Sequence, residues 1–292
     1  MHSASSKPLV VRIAGGLGNQ MFQYAAALAL AQRTGQALQI DARAFQRYTL
    51  HSYGLNAWSL SAAVLATSHN TAPSLWRIEL AERVSVFRPT TYYKEASLAY
   101  QPDLETRRGV QYLSGYFQSE RYFQAIRPLL LQEFTLALPL TQQGQALMTE
   151  LRSVPSVALH VRRGDYVSNP ETLRIHGVCS ANYYQQAIDR VMAEVPDARF
   201  FVFSNDFAWV RQKLRLPQST VQVDGVAQHP AHDIALMAAC QHHIIANSSF
   251  SWWGAWLSQS SQGIQIAPQP WYNDPTYAEA DLVPSRWRRL TK

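Results

Sequence analysis

Apolar and polar positions along this chain follow two rhythms, and the changes of rhythm mark its elements. The run Leu9–Ile13 is short and rich in β-branched residues, which predicts a strand. AGGLGNQ follows, and then Met21, Tyr24, Ala25 and Leu28 recur at i, i+3, i+4 and i+7, the repeat of one helical face. Alanine and leucine favour that helix, Gly35 suits its C-terminal stop, and ALQID ending at Asp41 predicts a second strand. Strand, glycine turn, helix and strand make a βαβ unit whose turn is placed to receive a ligand.

From about Phe45 to Thr141 the pattern loosens and aromatics become frequent: Tyr92-Tyr93, Tyr112, Tyr116-Phe117, Tyr122-Phe123. Each reads first as an ordinary core residue, although a ring beside polar groups also suits the C–H faces of sugars. Gln111 to Ser114 predicts a strand running through a turn into a helix. A helix near Gln142–Leu151 and the SVPS turn at Ser153–Ser156 predict a domain junction, giving domains 1–152 and 153–292. Beyond it the alternation is clearer. Strands are predicted at Val157–Val161, Arg199–Ser204, Val221–Val223, His242–Ala246 and Ile264–Ala267. Helices are predicted at Ala181–Glu194, Phe207–Leu214, Asp233–Cys240 and from about Phe250, so the second domain is also α/β with a parallel sheet.

Composition narrows the class. With 47% hydrophobic and 16% charged residues over 292 positions, a packed core is expected and extensive disorder is not. The net charge of +6 permits nucleic-acid binding, but the lysines are only Lys7, Lys94, Lys213 and Lys292, the arginines are scattered, and no nucleic-acid motif accompanies them. The basicity serves a nucleotide diphosphate equally well. Cys179 and Cys240 match neither a metal spacing nor a disulfide framework, so a reducing compartment is expected. The apolar run Ala25–Ala31 is far too short to span a membrane, and MHSASSKPLVVRI lacks a secretory apolar region. The expectation is a cytoplasmic protein with no integral membrane segment, peripheral attachment to the inner membrane being left open.

VALHVRRGDYV carries the most chemistry. A strand buried on both faces would end in Arg162 and Arg163 at the edge where open α/β sheets bind ligands. Guanidinium forks there match phosphate oxygens, Gly164 allows a tight turn, and Asp165 adds a carboxylate to the same pocket. Ser204-Asn205-Asp206 ends a second strand, with Asp206 reading as a helix cap. Asn247, Ser248, Ser249 and Ser251 crowd the turn into a Trp-rich helix whose free N–H groups suit an anion, while Trp252, Trp253 and Trp256 read as packing. In the first domain Gly16-x-Gly18 with Asp41 is an incomplete dinucleotide fingerprint, since Met21 holds the third glycine position. Asn19 and Gln20 would turn two amides toward the ligand. An NAD-dependent oxidoreductase would explain the glycines and Asp41 but not the second-domain loops; a non-catalytic carbohydrate-binding or RGD-displaying protein would explain only the aromatics and RGD.

GGLGNQMFQYA (Gly15–Ala25), HVRRGDYV (His160–Val167), FSND (Phe203–Asp206) and DIALMAACQHHIIANSSFSWWGAWL (Asp233–Leu257) closely resemble the bacterial α-1,2-fucosyltransferases of glycosyltransferase family 11. The resemblance runs from about residue 9 to 270. It implies a GT-B-like fold, two Rossmann-like α/β domains facing across a cleft, the first on the acceptor side and the second binding GDP-β-L-fucose. It places Arg162 on the β-phosphate with Arg163 beside it, and His160 and Asp233 near the guanosine. Ser204, Asn247, Ser248, Ser249 and Phe250 would line the donor site, and Gly16, Gly18, Asn19 and Gln20 would close over fucose and diphosphate. The partners implied are GDP-fucose and a galactose-terminated oligosaccharide. Asp165 is the first candidate base and Glu171 the second; a donor phosphate oxygen or an amide near Asn19 is the alternative, and Asp165 could instead orient Arg162. No Asp-x-Asp occurs, so no metal cofactor is expected.

Overall fold

Alanine-rich sequence with apolar positions all round its circumference makes a helix that must be buried, and Leu17–Thr34 is buried along most of its length, ending at Gly35. It connects β1 (Leu9–Arg12) to β2 (Leu38–Asp41), which pair in parallel, so the predicted βαβ unit is present. The structure, a computed structural model, describes residues 7–46, 50–65, 78, 80, 83–84, 89–277 and 281–292. It divides into two units, Met1–Ala137 with Ala280–Leu282, and Leu138–Glu279 with Val283–Lys292.

In the first unit β3 (Ala63–Val64), β4 (Tyr92–Lys94) and β5 (Tyr112–Ser114) complete a parallel sheet in the order β3-β2-β1-β5-β4. β3 and β4 are too short to carry a period, which is why the pattern did not show them. After β5 the chain makes 3₁₀ turns at Glu120–Tyr122 and Gln124–Ile126 before the helix Arg127–Glu133 begins.

The second unit begins earlier than the predicted junction. The helix Gln142–Ser153, capped by the Thr141 hydroxyl, belongs to it. Ser156 Oγ donates to the Leu151 carbonyl at 2.6 Å and Gln241 Nε2 to that of Val154 at 3.2 Å. The SVPS turn is thus an internal helix–strand connection. Six parallel strands follow: β6 (Ser156–Val161), β7 (Arg199–Ser204), β8 (Val221–Gln222), β9 (His242–Ile244), β10 (Gln265–Gln269) and β11 (Arg288–Thr291). Their order is β11-β10-β9-β6-β7-β8. Counted within the unit this is 3-2-1-4-5-6, the doubly wound Rossmann order.

Apolar side chains of β6, β7, β9 and β10, among them Val157, Leu159, Phe200, Val202, Ile244 and Ile266, pack against Tyr183, Tyr184, Ile188 and Val191 of the helix Ala181–Glu194. Each such burial contributes roughly 2 kcal/mol before entropy is counted. Trp252, Trp253 and Trp256 are buried in the helix Ser249–Leu257, the packing role expected of them.

Candidate functional site

A parallel sheet in this order changes winding direction between β6 and β9, and the crevice outside the carboxyl ends of those two strands is where such sheets take ligands. The loop after β6 begins with Arg162, half-buried, whose guanidinium lies 5.7 Å from the Tyr166 ring. The chain then enters the short helix Gly164–Ser168, a local element the sequence pattern missed. Gly164 is required by a close approach rather than by a turn: a Cβ there would sit 2.5 Å from Asn205 Nδ2. Asn205, in the loop after β7, also accepts the Arg163 N–H through Oδ1 at 3.0 Å. Its importance was hidden because only the fold sets the two loops side by side. The Asp165 side chain lies outside the described ones; Glu171 is exposed in the first turn of the helix Pro170–His176.

His160, the penultimate residue of β6, is buried with its Nδ1 lacking a hydrogen-bond partner, and its ring centroid lies 5.9 Å from that of Phe250. Burial, with the Arg162 charge adding to it, lowers the imidazole pKa to about 3, so it is neutral at physiological pH. A buried ring nitrogen without a partner calls for a ligand or water in the assembled site. Ser248 caps the helix Ser249–Leu257 by accepting the Phe250 N–H, and this helix begins just beyond the carboxyl end of β9, where its N-terminus favours a negative charge. Asp233, on the helix Pro230–Ala239, has its carboxyl raised to about 6 by burial. In the same helix His232 Nε2 is a second buried nitrogen without a partner.

Other residues expected at the ligand are taken up by the fold. Arg163 forms an ion pair with Asp206 at 3.5 Å and lies over the Trp209 ring at 4.4 Å. Ser204 Oγ accepts the Asp206 N–H, and Asp206 caps the helix Phe207–Lys213 as predicted. Asn247 is only 1% exposed. Its Nδ2 donates to the carbonyls of His176 at 2.8 Å and Trp271 at 3.1 Å, and its Oδ1 accepts from Cys179 Sγ. Lys292 Nζ donates to the same two carbonyls. Asn247 therefore anchors the loop that carries Ser248 and Ser249.

In the first unit Gly16 precedes the helix Leu17–Thr34 as its cap, and Gly18 is buried in its first turn. Gln20 is fully buried: Nε2 donates to Gly15 and Ser52, and Oε1 accepts the Gly54 N–H. That corrects the expectation of two amides turned to a ligand, because the glycine loop needs one of them to close its own backbone. Gln23 does the same for both backbone groups of Ala14. Asn19 remains half-buried and accepts from Gln118 Nε2 at 2.8 Å. Asp41 is bound by Arg43 and by the Tyr112 hydroxyl, hydrogen bonds that outweigh its burial and hold its carboxyl below the usual range. A ribose-binding acid needs a free carboxylate, so the dinucleotide fingerprint does not extend to Asp41. Tyr116, one of the aromatics noted in the sequence, and Gln118 gather beside the glycine loop with Glu95, and the sequence pattern singled out neither Glu95 nor Gln118. Among the described residues no group of three or more His, Cys, Asp and Glu side chains converges as metal ligands, and no helix is long and apolar enough to cross a membrane.

Residues 91–291 match the profile of Glycosyl transferase family 11. The chain is 34% identical to the Escherichia coli alpha-1,2-colitosyltransferase over 97% of this chain and 99% of that one. It is 30% identical to the Mus musculus galactoside alpha-(1,2)-fucosyltransferase 2, over 84% of this chain and 66% of the relative. In structure it is similar to NodZ alpha-1,6-fucosyltransferase co-crystallized with GDP, with a TM-score of 0.52 and 17% identity, over 85% of this chain and 92% of that one. The two parallel-sheet units and that likeness give a GT-B-like fold. An arginine and a helix N-terminus at the switch point of a Rossmann-ordered sheet, together with the sequence match across both units, make this chain a member of glycosyl transferase family 11, an enzyme that transfers a sugar.

Proposed function

We propose that the protein transfers L-fucose from GDP-β-L-fucose to the 2-hydroxyl of a galactose residue in an oligosaccharide, inverting the anomeric centre to give an α-1,2 linkage. The observation that carries this reading is the pair of loops at the β6–β9 switch point, where Arg162, the partnerless His160 nitrogen and the helix N-terminus at Ser248–Phe250 stand at the ends of adjacent strands. Cation, neutral imidazole and backbone N–H groups suit a nucleoside diphosphate. As the fucose C1–O bond breaks, the electron pair goes to the β-phosphate oxygen, and Arg162 is placed in advance to stabilise the growing charge. The anomeric carbon acquires oxocarbenium character, so a weakly activated hydroxyl can attack from the opposite face. Its proton passes to Asp165, Glu171 or a donor phosphate oxygen. His160 and Asp233 bind the guanosine side, and Gly16, Gly18 and Asn19 meet the sugar. Arginine and N–H groups supply the charge that a cation would otherwise supply, so activity survives a chelator. Both cysteines are free and buried, which suits a reducing compartment.

The colitosyltransferase relative makes the donor sugar the finer question, whereas an α-1,2 linkage is common to both relatives' names. NMR of the products from lactose with GDP-fucose or GDP-colitose, in EDTA, decides it. A new α-1,2-fucosyl signal is the expected result. Product from GDP-colitose alone would revise the donor; absence of both GDP binding and GDP release would end the reading.

A further inference from the structure

β1 and β5 are neighbours in the first sheet, whose order is β3-β2-β1-β5-β4, so the loop after β1 (residues 13–16) and the loop after β5 (residues 115–119) leave the same edge of the sheet side by side. The side chains show that they meet. Asn19 accepts from Gln118 at 2.8 Å, and a Cβ built on Gly15 would lie 3.7 Å from the Tyr116 ring.

The loop after β5 is built rather than merely exposed. Glu95, just past β4, is 9% exposed and accepts the N–H groups of Tyr116 at 2.6 Å and Phe117 at 3.0 Å. Phe117 is the one non-glycine residue with positive φ among those described, at +52°, and its side chain is buried. Gly115 tolerates no side chain, since a Cβ would stand 2.4 Å from Glu95 Cβ. Left-handed backbone at a bulky residue is costly and persists only where the surroundings enforce it, commonly at ligand sites. The consequence is a large ring, Tyr116, held 43% exposed beside the Asn19–Gln118 amide pair. The carboxylate of Glu95 is spent on backbone, so the recognition groups here are a ring face and neutral amides. Those suit an uncharged ring carrying C–H and hydroxyl groups, whereas the charge for a diphosphate stands at the β6 and β9 loops of the second unit.

We propose that Tyr116 is the stacking platform for a neutral hexose of the glycan acceptor, with the Asn19–Gln118 pair bracing the loop beside it and Glu95 as the residue that holds the platform in place. This rests on the reading of the protein as a glycan-modifying sugar transferase.

The test uses the full chain, the disaccharide lactose as probe, and the variants Tyr116→Ala and Tyr116→Phe. Saturation-transfer NMR on the GDP-saturated chain reads lactose binding, steady-state kinetics with GDP-fucose as donor read its KM, and calorimetry on the ligand-free chain reads GDP affinity. Tyr116→Ala is expected to raise the lactose KM roughly tenfold and weaken the saturation signal to match, as loss of one ring contact does. GDP affinity should stay at the wild-type value, and Tyr116→Phe should behave as wild type. Unchanged lactose binding in Tyr116→Ala, or no lactose binding by the wild type, overturns the platform. Absence of GDP binding by the wild type instead overturns the donor assignment, so the two failures are told apart.

Discussion

The β6–β9 edge of the second unit and the β1–β5 edge of the first are built from different chemistry. In the second unit the crevice edge carries formal charge and buried ring nitrogens: Arg162, the half-buried Asp233, and His160 and His232 with partnerless nitrogens. In the first unit two carboxylates near the corresponding edge are engaged within the fold, Asp41 by Arg43 and Tyr112, and Glu95 by two N–H groups. What it presents is an amide pair and a ring. Two parallel sheets thus carry differently furnished edges: strand order decides which loops meet, and the loop side chains decide what the edge offers.

Four changes break or sharpen that contrast. The largest effect belongs to Arg162→Ala, expected to lower kcat by about 10²–10³, as loss of a preorganised oxyanion donor does. Rapid-quench measurement of GDP release reads the chemical step directly; a change within a few-fold would remove Arg162 from its role. Asp165→Asn measured alongside separates a base from an orienting group, since only the former abolishes transfer while GDP affinity is kept.

Asn247→Ala comes second and should act on stability rather than on chemistry. It strands the amide's partners in a buried region, at a cost of roughly 3 kcal/mol in urea unfolding. A variant as stable as wild type would return Asn247 to the list of ligand contacts.

The smallest effect is Glu95→Gln. Burial, opposed by the two N–H bonds, raises the Glu95 carboxyl from 4.5 to about 7. Between those values the folded protein holds a proton that the unfolded chain has released, so stability falls as pH rises through that window, by on the order of 3 kcal/mol. Gln keeps an acceptor but does not titrate, so the melting temperature of the variant should change less across pH 4.5–7 than that of the wild type. Parallel curves for the two proteins would show that Glu95 titrates normally.

Much of this was legible in the chain. The strand ending at Val161 was visible because a run buried on both faces must be apolar throughout, and Arg162 stood out because a guanidinium follows it immediately. The Trp252, Trp253 and Asp206 roles were legible for the same local reasons. The helices Gly164–Ser168 and Pro170–His176 were not, being too short for a period to repeat. Nor was the strand β11, whose pattern is mostly exposed. The site residues whose side chains are engaged within the fold share one reason for having been unreadable. Asn247, Gln20 and Arg163 are polar residues beside the ligand loops, and whether such a group serves a ligand or the backbone depends on which distant carbonyls, N–H groups or carboxylates come within 3 to 4 Å.

By itself the sequence determined two α/β units, their parallel character, the Arg162 loop and the helix N-terminus at Ser248, because periodicity, composition and strand-end position are local properties. Only the tertiary structure decided that the order of strands brings β6 beside β9 and β1 beside β5. It also decided that Asn247 and Gln20 are spent on backbone, and that Glu95 reaches across to hold Tyr116. Hydrogen-bond valence is settled by partners far apart in the chain, 22 residues for Glu95 and Phe117 and 71 for Asn247 and His176. No periodicity along the chain encodes those meetings.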